Sequence, residues 1–305
     1  MEPHDAAADG TPAERSGRIE LRVERARLEP GLYLVATPIG AARDITLRGL
    51  DVLSSADLLA AEDTRVLRHL MEIHGIPLRG RRIIAYHEHS HDGARQQLLD
   101  AIAAGQAVAY ASDAGTPMIA DPGYRLAQEA IAAGATLRTV PGPSAVIAAL
   151  TLSGLPSDRF TFAGFAPSAA GARRKFLSRL MAGDATAIFF ESPRRVKQTL
   201  ENICDIDANR SMVICREVTK KFEEVLRGTA SELDSVVPSS GLKGEIVVLL
   251  DRAGAAEVTD DVIRQELAVR LVTMTVKDAS AEVATLTGAA RRDVYQIALK
   301  MGKGG

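Results

Sequence analysis

The segment from Ala107 to Gly123, AVAYASDAGTPMIADPG, constrains the fold more than any other part of the sequence. It begins as a short apolar run, breaks into a loop with Asp113 and Gly115, and continues into a helical pattern. A strand that ends in an acid and a glycine before a helix is typical of the ligand-binding edge of an open α/β sheet. The loop contains no lysine or arginine, and it has neither the glycine spacing of a P-loop nor the G-x-G-x-x-G spacing of a dinucleotide-binding loop. It therefore favours a ligand recognised through hydroxyl or amino groups over one held by phosphates.

The same order of strand, loop and helix recurs from Gly31 to Leu152. Five short apolar runs, each followed by a helical pattern, predict a mostly parallel sheet that is covered on both faces. This α/β domain is predicted over residues 31–152. A hinge is expected at SGLPSD, residues 153–158.

A second α/β domain is predicted over residues 158–252, where some strands follow one another without a helix and indicate a mixed sheet. Residues 258–305 read as a small helical domain, and the turn at Thr287-Gly288 gives it a helix–turn–helix pattern. Residues 1–30, in which arginines are interleaved with acids, are predicted to be a flexible extension.

The 305 residues, 46% of them hydrophobic, are enough for about two domains. A net charge of −2 argues against a protein that binds DNA non-specifically, because such proteins carry an excess of positive charge. A local basic patch is still compatible with this net charge. Cys204 and Cys215 have no metal-site spacing, which favours reduced thiols and a cytoplasmic protein. The longest apolar stretch, Ala145 to Leu152, is far shorter than the roughly 18 residues that span a bilayer, so no membrane partner is expected.

Two further strand ends carry candidate catalytic residues. In AEDTR, Glu62 and Asp63 are adjacent carboxylates; Asp63 or Thr64 could cap the next helix, whereas Arg65 opposes the helix dipole and suggests a substrate contact. The YHEHSH segment contains Glu88 and three alternating histidines, which could hold a metal, cap a helix or contact a substrate. Because no fourth ligand is evident, no metal site is predicted.

The remaining motifs also follow strands. Ser144 in VPGPSA could cap a helix or face a ligand, and Asp113 could likewise be a turn residue or a ligand contact. Clustered cations in the second half could form a solvated face or bind a phosphate backbone. These candidate RNA-binding residues are Arg173, Arg174, Lys175, Arg194, Arg195, Lys220 and Lys221.

Eight motifs together resemble the ribosomal RNA small-subunit methyltransferase I family, in order and in spacing, over residues 31–252. They are LYLVATPIGAARDIT, AAEDTR, YHEHS, ASDAGTPMIADPG, TVPGPSA, FFESPRR, CREVTKKFEEVLRG and KGEIVVLL. The resemblance implies two α/β domains of the tetrapyrrole-methylase type (class III methyltransferases) with a cleft between them, plus a small C-terminal helical domain. Ala41-Ala42 departs from the family, which typically has Asn-Leu there.

The resemblance also implies S-adenosylmethionine as the cofactor, bound between the two α/β domains. Asp113 is then expected to meet its polar groups by side chain. Backbone contacts are expected from Ala114, Gly115 and Thr116, contacts with the methionine end from Ser144 and Ala145, and contacts with the adenosine from Phe190, Lys243 and Gly244.

The implied reaction is 2′-O-methylation of a cytidine ribose in small-subunit rRNA, free or in the assembled particle, by a homodimer. The candidate bases are Glu62 and Glu88, and Asp63 is the third candidate. Arg65 and Arg194 could hold a flanking phosphate. Two alternatives are a C-methyltransferase of a tetrapyrrole precursor and a non-catalytic nucleic-acid-binding regulator that uses the C-terminal helices.

Overall fold

The computed structural model describes residues 23–87, 92–119, 123–253 and 260–302. The chain divides into two units, Met1–Ser144 and Ala145–Gly305. In the described part of the first unit, the strands are β1 Gly31–Val35, β2 Leu58–Ala61, β3 Ile83–Ala85, β4 Ala107–Ala111 and β5 Leu137–Val140. The helices are α1 Leu47–Ser55, α2 Thr64–Ile73, α3 Asp92–Ala103 and α4 Gly123–Ala132, with a 3₁₀ turn at Ala42–Asp44.

The five strands form one parallel sheet in the order β3-β2-β4-β1-β5. Every residue of the central strand β4 is buried, because helices cover both faces of the sheet. Thr46 caps α1 by accepting the Gly49 N–H at 3.0 Å, as its position before the apolar pattern predicts. The predicted parallel sheet is confirmed, and the ends of β2, β4, β1 and β5 lie side by side along one edge.

In the described part of the second unit, the strands are β6 Phe160–Phe165, β7 Thr186–Glu191, β8 Ser211–Arg216, β9 Glu224–Thr229 and β10 Ile246–Leu250. The helices are α5 Ala145–Ser153, α6 Ala170–Met181, α7 Val196–Asp207, α8 Ala230–Val236, α9 Asp260–Arg270, α10 Val276–Thr287 and α11 Arg291–Gly302. The sheet order is β6-β7-β10-β8-β9, parallel only between β6 and β7, so the predicted mixed sheet is confirmed.

Helix α5 belongs to the second unit, whereas the sequence places it at the end of the first domain, residues 31–152. The helix packs against β7, β8, β9 and β10. Its sequence, AVIAALTLS, is apolar all round and therefore does not indicate which sheet it covers. The second unit thus begins at Ala145, before the predicted hinge.

The last three helices, α9 to α11, share a small core that includes Leu267, Val283 and Val294. Gly288 ends α10 in the left-handed conformation, φ +72°, and turns the chain into α11. The predicted helical pattern of residues 258–305 is confirmed where the structure describes it. No helix within the described ranges is long and apolar enough to cross a membrane.

Candidate functional site

The loops after β1, β4 and β5 are joined to one another at the carboxyl edge of the first sheet. Thr37 and Gly115 exchange two backbone hydrogen bonds of 3.0 Å each. The Thr37 hydroxyl donates to the Ser112 carbonyl at 3.0 Å, and the Ser112 hydroxyl donates to the Gly115 carbonyl at 2.6 Å. These contacts hold the Asp113–Thr116 backbone in one conformation at the edge where open α/β sheets bind ligands.

Gly115 has a left-handed backbone conformation and little room for a side chain. Its φ is +81°, and an added Cβ would lie 3.2 Å from Ile39 Cγ2 and 3.6 Å from the Pro143 carbonyl oxygen. The next residue, Thr116, donates its hydroxyl to the same Pro143 oxygen at 3.0 Å. The β4 loop therefore lies between the β1 and β5 loops, next to Ser144, in a conformation and at a distance that favour glycine.

Asp113 joins this cluster to the loop after β2. Its Oδ1 accepts the Asp63 N–H at 2.8 Å, so one carboxylate oxygen organises the neighbouring strand end. The sequence left open whether Asp113 is a turn residue or a ligand contact. The structure assigns it a link between two loops, and its contact with a cofactor stays a prediction.

Asp63 caps α2, and Arg65 is its ion-pair partner. Asp63 Oδ1 accepts the Arg65 N–H at 2.8 Å, and the Arg65 guanidinium contacts both carboxylate oxygens, at 2.5 Å for Nη2–Oδ2. Hydrogen bonds from the Arg65 side chain and backbone lower the pKa of Asp63 to about 2. A carboxylate with so low a pKa is a weak proton acceptor near neutrality, which argues against Asp63 as the base. Arg65 lies in the first turn of α2, where a cation opposes the helix dipole, and its ion pair with the Asp63 cap accounts for this position.

Of the two stronger base candidates, Glu62 is half-buried between β2 and the Asp63 cap. Glu88 lies outside the described residues, as do His89 and His91. Tyr86, at the end of β3, is buried with its ring edge-on to Tyr110, and burial raises its pKa. Among the residues that the structure describes, no group of histidines, cysteines and acids has the arrangement of a metal site.

The corresponding edge of the second sheet is organised by a buried acid that the sequence analysis did not single out. The Glu191 side chain is 0% exposed and accepts hydrogen bonds from Ser192 N and Thr199 Oγ1, both at 2.6 Å. Arg195 Nη2 lies 2.8 Å from its Oε1. The signal was its place in FFESPRR, because an acid directly after an apolar strand needs a partner when the sheet is covered.

Phe190, predicted to contact adenosine, is half-buried beside two other phenylalanines. Its ring centroid lies 4.9 Å from that of Phe162 and 5.2 Å from that of Phe165, in edge-to-face geometry. These three rings form an aromatic cluster on strands β6 and β7.

The loop before β10 is fixed from both sides. The Leu242 N–H donates to the Pro193 carbonyl at 2.9 Å, and the Glu245 N–H donates to Glu217 Oε1 at 2.9 Å. Gly244 has φ +86°, and a Cβ there would lie 2.5 Å from the Glu217 side chain. Lys243 and Gly244, both predicted to meet the cofactor, are exposed on this braced loop.

The structure corrects part of the predicted RNA-binding set. Arg173 is only 4% exposed; its guanidinium donates to Asn202 Oδ1 and to the Ser168 carbonyl, both at 3.1 Å. It packs α6 against α7 and cannot reach a phosphate. Arg195 pairs with Glu191, and Lys220 pairs with Glu217 and Glu245; binding of RNA by these two partly exposed cations stays a prediction.

The other predicted cations are accessible. Arg174 is exposed and pairs with Asp205 at 3.2 Å, an ion pair that solvent weakens. Lys175 and Arg194 are exposed, and the Lys221 ammonium lies 5.5 Å from the Phe222 ring centroid. Binding of RNA by these four residues stays a prediction.

Comparison with known proteins gives the class first. Residues 31–234 match the family of Tetrapyrrole (Corrin/Porphyrin) Methylases, and residues 256–302 match the RsmI C-terminal HTH domain. A solved cobalt precorrin-4 methyltransferase has the same fold, with a TM-score of 0.56 and 20% identity over 72% of this chain and 94% of that one. A uroporphyrin-III C-methyltransferase from Thermus thermophilus, solved with S-adenyl homocysteine, has a TM-score of 0.50 and 17% identity over 72% of this chain and 97% of that one. The family match and the fold thus place the chain among the tetrapyrrole methylases.

The more particular assignment comes from sequence relatives. The chain is 47% identical to the ribosomal RNA small subunit methyltransferase I of Mesorhizobium japonicum, over 90% of this chain and 93% of that protein. The protein therefore belongs to the ribosomal RNA small subunit methyltransferase I family of the tetrapyrrole methylases. The resemblance, the fold class and the assignment as an enzyme are all confirmed.

Proposed function

We propose that this S-adenosylmethionine-dependent methyltransferase methylates the ribose 2′-hydroxyl of a cytidine in small-subunit rRNA. The observation that carries the proposal is the set of joined loops around Gly115, in which the segment 112–116 offers backbone and an acid and contains no lysine or arginine. Such a set suits a cofactor with a ribose, an amino acid and a positive sulfonium, because none of these groups requires a phosphate-binding loop. The name of the Mesorhizobium relative supports the rRNA substrate.

The residues around Gly115 fit this cofactor. At Gly115 the backbone passes so close to Ile39 that an added Cβ would lie 3.2 Å from Ile39 Cγ2. The exposed Ala114 and the half-buried Thr116 present their backbone on either side of it. In this proposal Asp113, Ala114, Gly115 and Thr116 bind the cofactor, with Ser144 and Ala145 at its methionine end. The family resemblance is what supports contacts of Phe190, Lys243 and Gly244 with the adenosine.

The chain's own catalytic contribution is to remove a proton and to orient the ribose. S-Adenosylmethionine, when bound, supplies an electrophilic methyl group. Glu62 or Glu88 accepts the proton of the ribose 2′-hydroxyl, a contribution that general bases make at about 10²–10⁴-fold in rate. Because Asp63 is paired with Arg65, its role in this proposal is to cap α2 rather than to accept the proton. Arg65, 89% exposed despite its ion pair, and Arg194 orient a flanking phosphate.

Methyl transfer to defined substrates tests the function. Purified protein and methyl-labelled S-adenosylmethionine are incubated with small-subunit particles, with free small-subunit rRNA and with tetrapyrrole precursors. We expect label in the RNA, at one ribose that becomes resistant to alkaline cleavage. Label in a tetrapyrrole carbon instead would contradict the proposal, and so would binding of RNA without any transfer, which a non-catalytic regulator would show.

The base is tested with a pair of variants. Glu62→Gln should lower the rate of transfer by about 10²-fold or more while S-adenosylmethionine still binds, because the amide cannot accept the proton. Asp63→Asn is the matched control at the adjacent position, since asparagine is an equally good helix cap. A Glu62→Gln enzyme with the normal rate assigns the proton transfer to Glu88, and the same pair of measurements is then made there.

We also propose that the protein acts in the cytoplasm as a homodimer. The substrate class supports the location and the family resemblance supports the dimer. Light scattering of the full chain should give twice the 32.4 kDa mass of one chain. A single-chain mass at the concentrations of the activity assay would contradict the dimer without affecting the methyl transfer.

A further inference from the structure

The outward face of helix α11 has a composition that its structural role does not require. Val294, Ile297 and Ala298 are buried in the three-helix core and define the inner face of α11, so that Tyr295 and Gln296 lie on its outer side. Tyr295 and Leu299 are 39% and 37% exposed, large values for such side chains on a helix with a packed inner face. The α11 face consists of Arg291, Arg292, Tyr295, Gln296, Leu299 and Lys300, and each is exposed.

The cations of this face differ from the others in the same three helices. Arg264 pairs with Asp260 and Asp261, and Arg270 pairs with Glu266 and Glu282. In the described part of these helices, Arg291, Arg292 and Lys300 take part in none of the ion pairs. Because successive residues of an α-helix are rotated by about 100°, Arg292 lies near the middle of the α11 face, Arg291 and Lys300 lie near its two edges, and Asp293 lies just beyond the Lys300 edge. The α11 face itself therefore carries three cations and no acid.

The position of α11 also suits contact with a nucleic acid. It follows α10 after the tight turn at Gly288 and is the second helix of a helix–turn–helix, the helix that such motifs present to nucleic acid. RNA is bound through phosphates and through unpaired bases that stack on aromatic side chains. A tyrosine flanked by two arginines and a lysine offers both kinds of contact.

We propose that the α11 face binds the small-subunit rRNA and forms a substrate contact additional to the residues proposed for methyl transfer. This inference rests on the proposed function. Charge complementarity selects RNA as the occupant: three cations meet a polyanion, while the apolar part consists of Tyr295 and Leu299 alone. A protein partner or a second copy would bury a larger apolar core than two side chains provide.

Two double variants of the full chain test the cations. Arg292→Ala/Lys300→Ala removes two charges of the α11 face, and Arg264→Ala/Lys277→Ala removes two exposed charges from α9 and α10. We expect the first to raise the Kd for labelled small-subunit rRNA and the KM in methyl transfer about tenfold or more. We also expect it to reduce the slope of log K against log[salt] by between one and two, since each lost phosphate contact removes about 0.7–0.9. The control should change neither quantity, and both variants should bind S-adenosylmethionine normally.

Tyr295 tests the stacking contribution separately. Tyr295→Ala should weaken rRNA binding about tenfold without changing the salt slope, and Tyr295→Phe should restore it because the aromatic face remains. Matching thermal unfolding curves for these variants exclude a folding defect. Loss of binding in Tyr295→Phe as well would contradict stacking.

The outcomes separate this inference from the proposed function. A wild-type protein that binds rRNA through the α11 face yet transfers no methyl group contradicts the function alone. Normal Kd, KM and salt slope in Arg292→Ala/Lys300→Ala, with an active wild type, overturn the α11 proposal. Weaker binding to assembled particles with unchanged binding to free rRNA also overturns it, because the partner would then be a ribosomal protein.

Discussion

At the scale of single residues, backbone geometry decides more of this site than side-chain chemistry does. Gly115 accepts and donates the two hydrogen bonds to Thr37 in a conformation that other residues rarely adopt. The sequence singled out Gly115 for its place after a strand-end acid. It could not show that Ile39 and Pro143, from two other loops, close around it, because these contacts arise only when neighbouring strands pair.

Gly115→Ala should weaken S-adenosylmethionine binding at least tenfold, because the new methyl group contacts Ile39 and displaces the β4 loop. Gly105→Ala is the matched control: its φ is +79°, and a Cβ there meets nothing within 4 Å. Both variants should lose about 1 kcal/mol of stability from backbone strain. Calorimetric titration with the cofactor separates the two effects, and equal affinities in both variants would contradict a close approach at Gly115.

The ion pair at Asp63 predicts a pH dependence. Its pKa falls from 3.8 to about 2 on folding, so the charged carboxylate stabilises the folded state above about pH 4. This contribution is lost as the pH falls towards 2, where both states bind the proton. The difference in unfolding free energy between wild type and Asp63→Asn should therefore be constant from pH 5 to 7 and shrink between pH 4 and 2. Arg65→Ala should raise the pKa of Asp63 in an NMR titration; an unchanged value would mean that Arg65 is not the cause.

At the scale of secondary-structure elements, each sheet joins its strand-end loops by a different means. The first sheet uses backbone pairing and close approach at glycine, whereas the second uses carboxylates. Glu191 accepts hydrogen bonds from Ser192 and from Thr199 of α7, and Glu217 accepts one from Glu245 in the loop before β10. The strands and most helix ends could be predicted, because apolar runs, caps and glycines act locally. The partners of Glu191 could not, because Thr199 and Arg195 reach it only after α7 has packed against β7.

Removal of the buried acid should be costly. Glu191→Ala should lower the free energy of unfolding by about 3 kcal/mol, since Arg195 and Thr199 lose a partner in a water-excluded place. Glu191→Gln keeps an acceptor oxygen and should cost less. Urea denaturation of both variants measures the difference. Equal losses would mean that the charge of Glu191, rather than its hydrogen bonds, stabilises the loop after β7.

At the scale of the whole molecule, the assignment of α5 to the second unit was the part of the domain organisation that the sequence predicted differently. Cys215 lies in β8 under α5, and its thiol contacts the Ala149 carbonyl at 3.8 Å. Burial raises the pKa of Cys215 to about 11, which keeps the thiol protonated near neutrality. The two cysteines can therefore report on this packing.

In a native protein, a thiol reagent should label the half-buried Cys204 well before Cys215. Labelling of Cys215 requires α5 to leave β8, so its rate should follow unfolding of the second unit as urea is added. Cys204→Ser isolates the Cys215 signal, and mass spectrometry of quenched samples measures it. Fast labelling of Cys215 in native conditions would contradict the placement of α5.

The sequence by itself determined the alternation of strands and helices, the parallel and mixed sheets, the family and the strand ends that carry the candidate site. These depend on periodicity, caps and motif order, which are local properties of the chain. Only the tertiary structure decided which of the candidate residues stabilise the fold. Arg173 and Arg195 contact Asn202 and Glu191, Asp63 pairs with Arg65, and Asp113 links two loops. The physical reason is that burial and the distant partners of a side chain, such as Asn202 for Arg173 and the Asp63 N–H for Asp113, exist only once the elements have packed together.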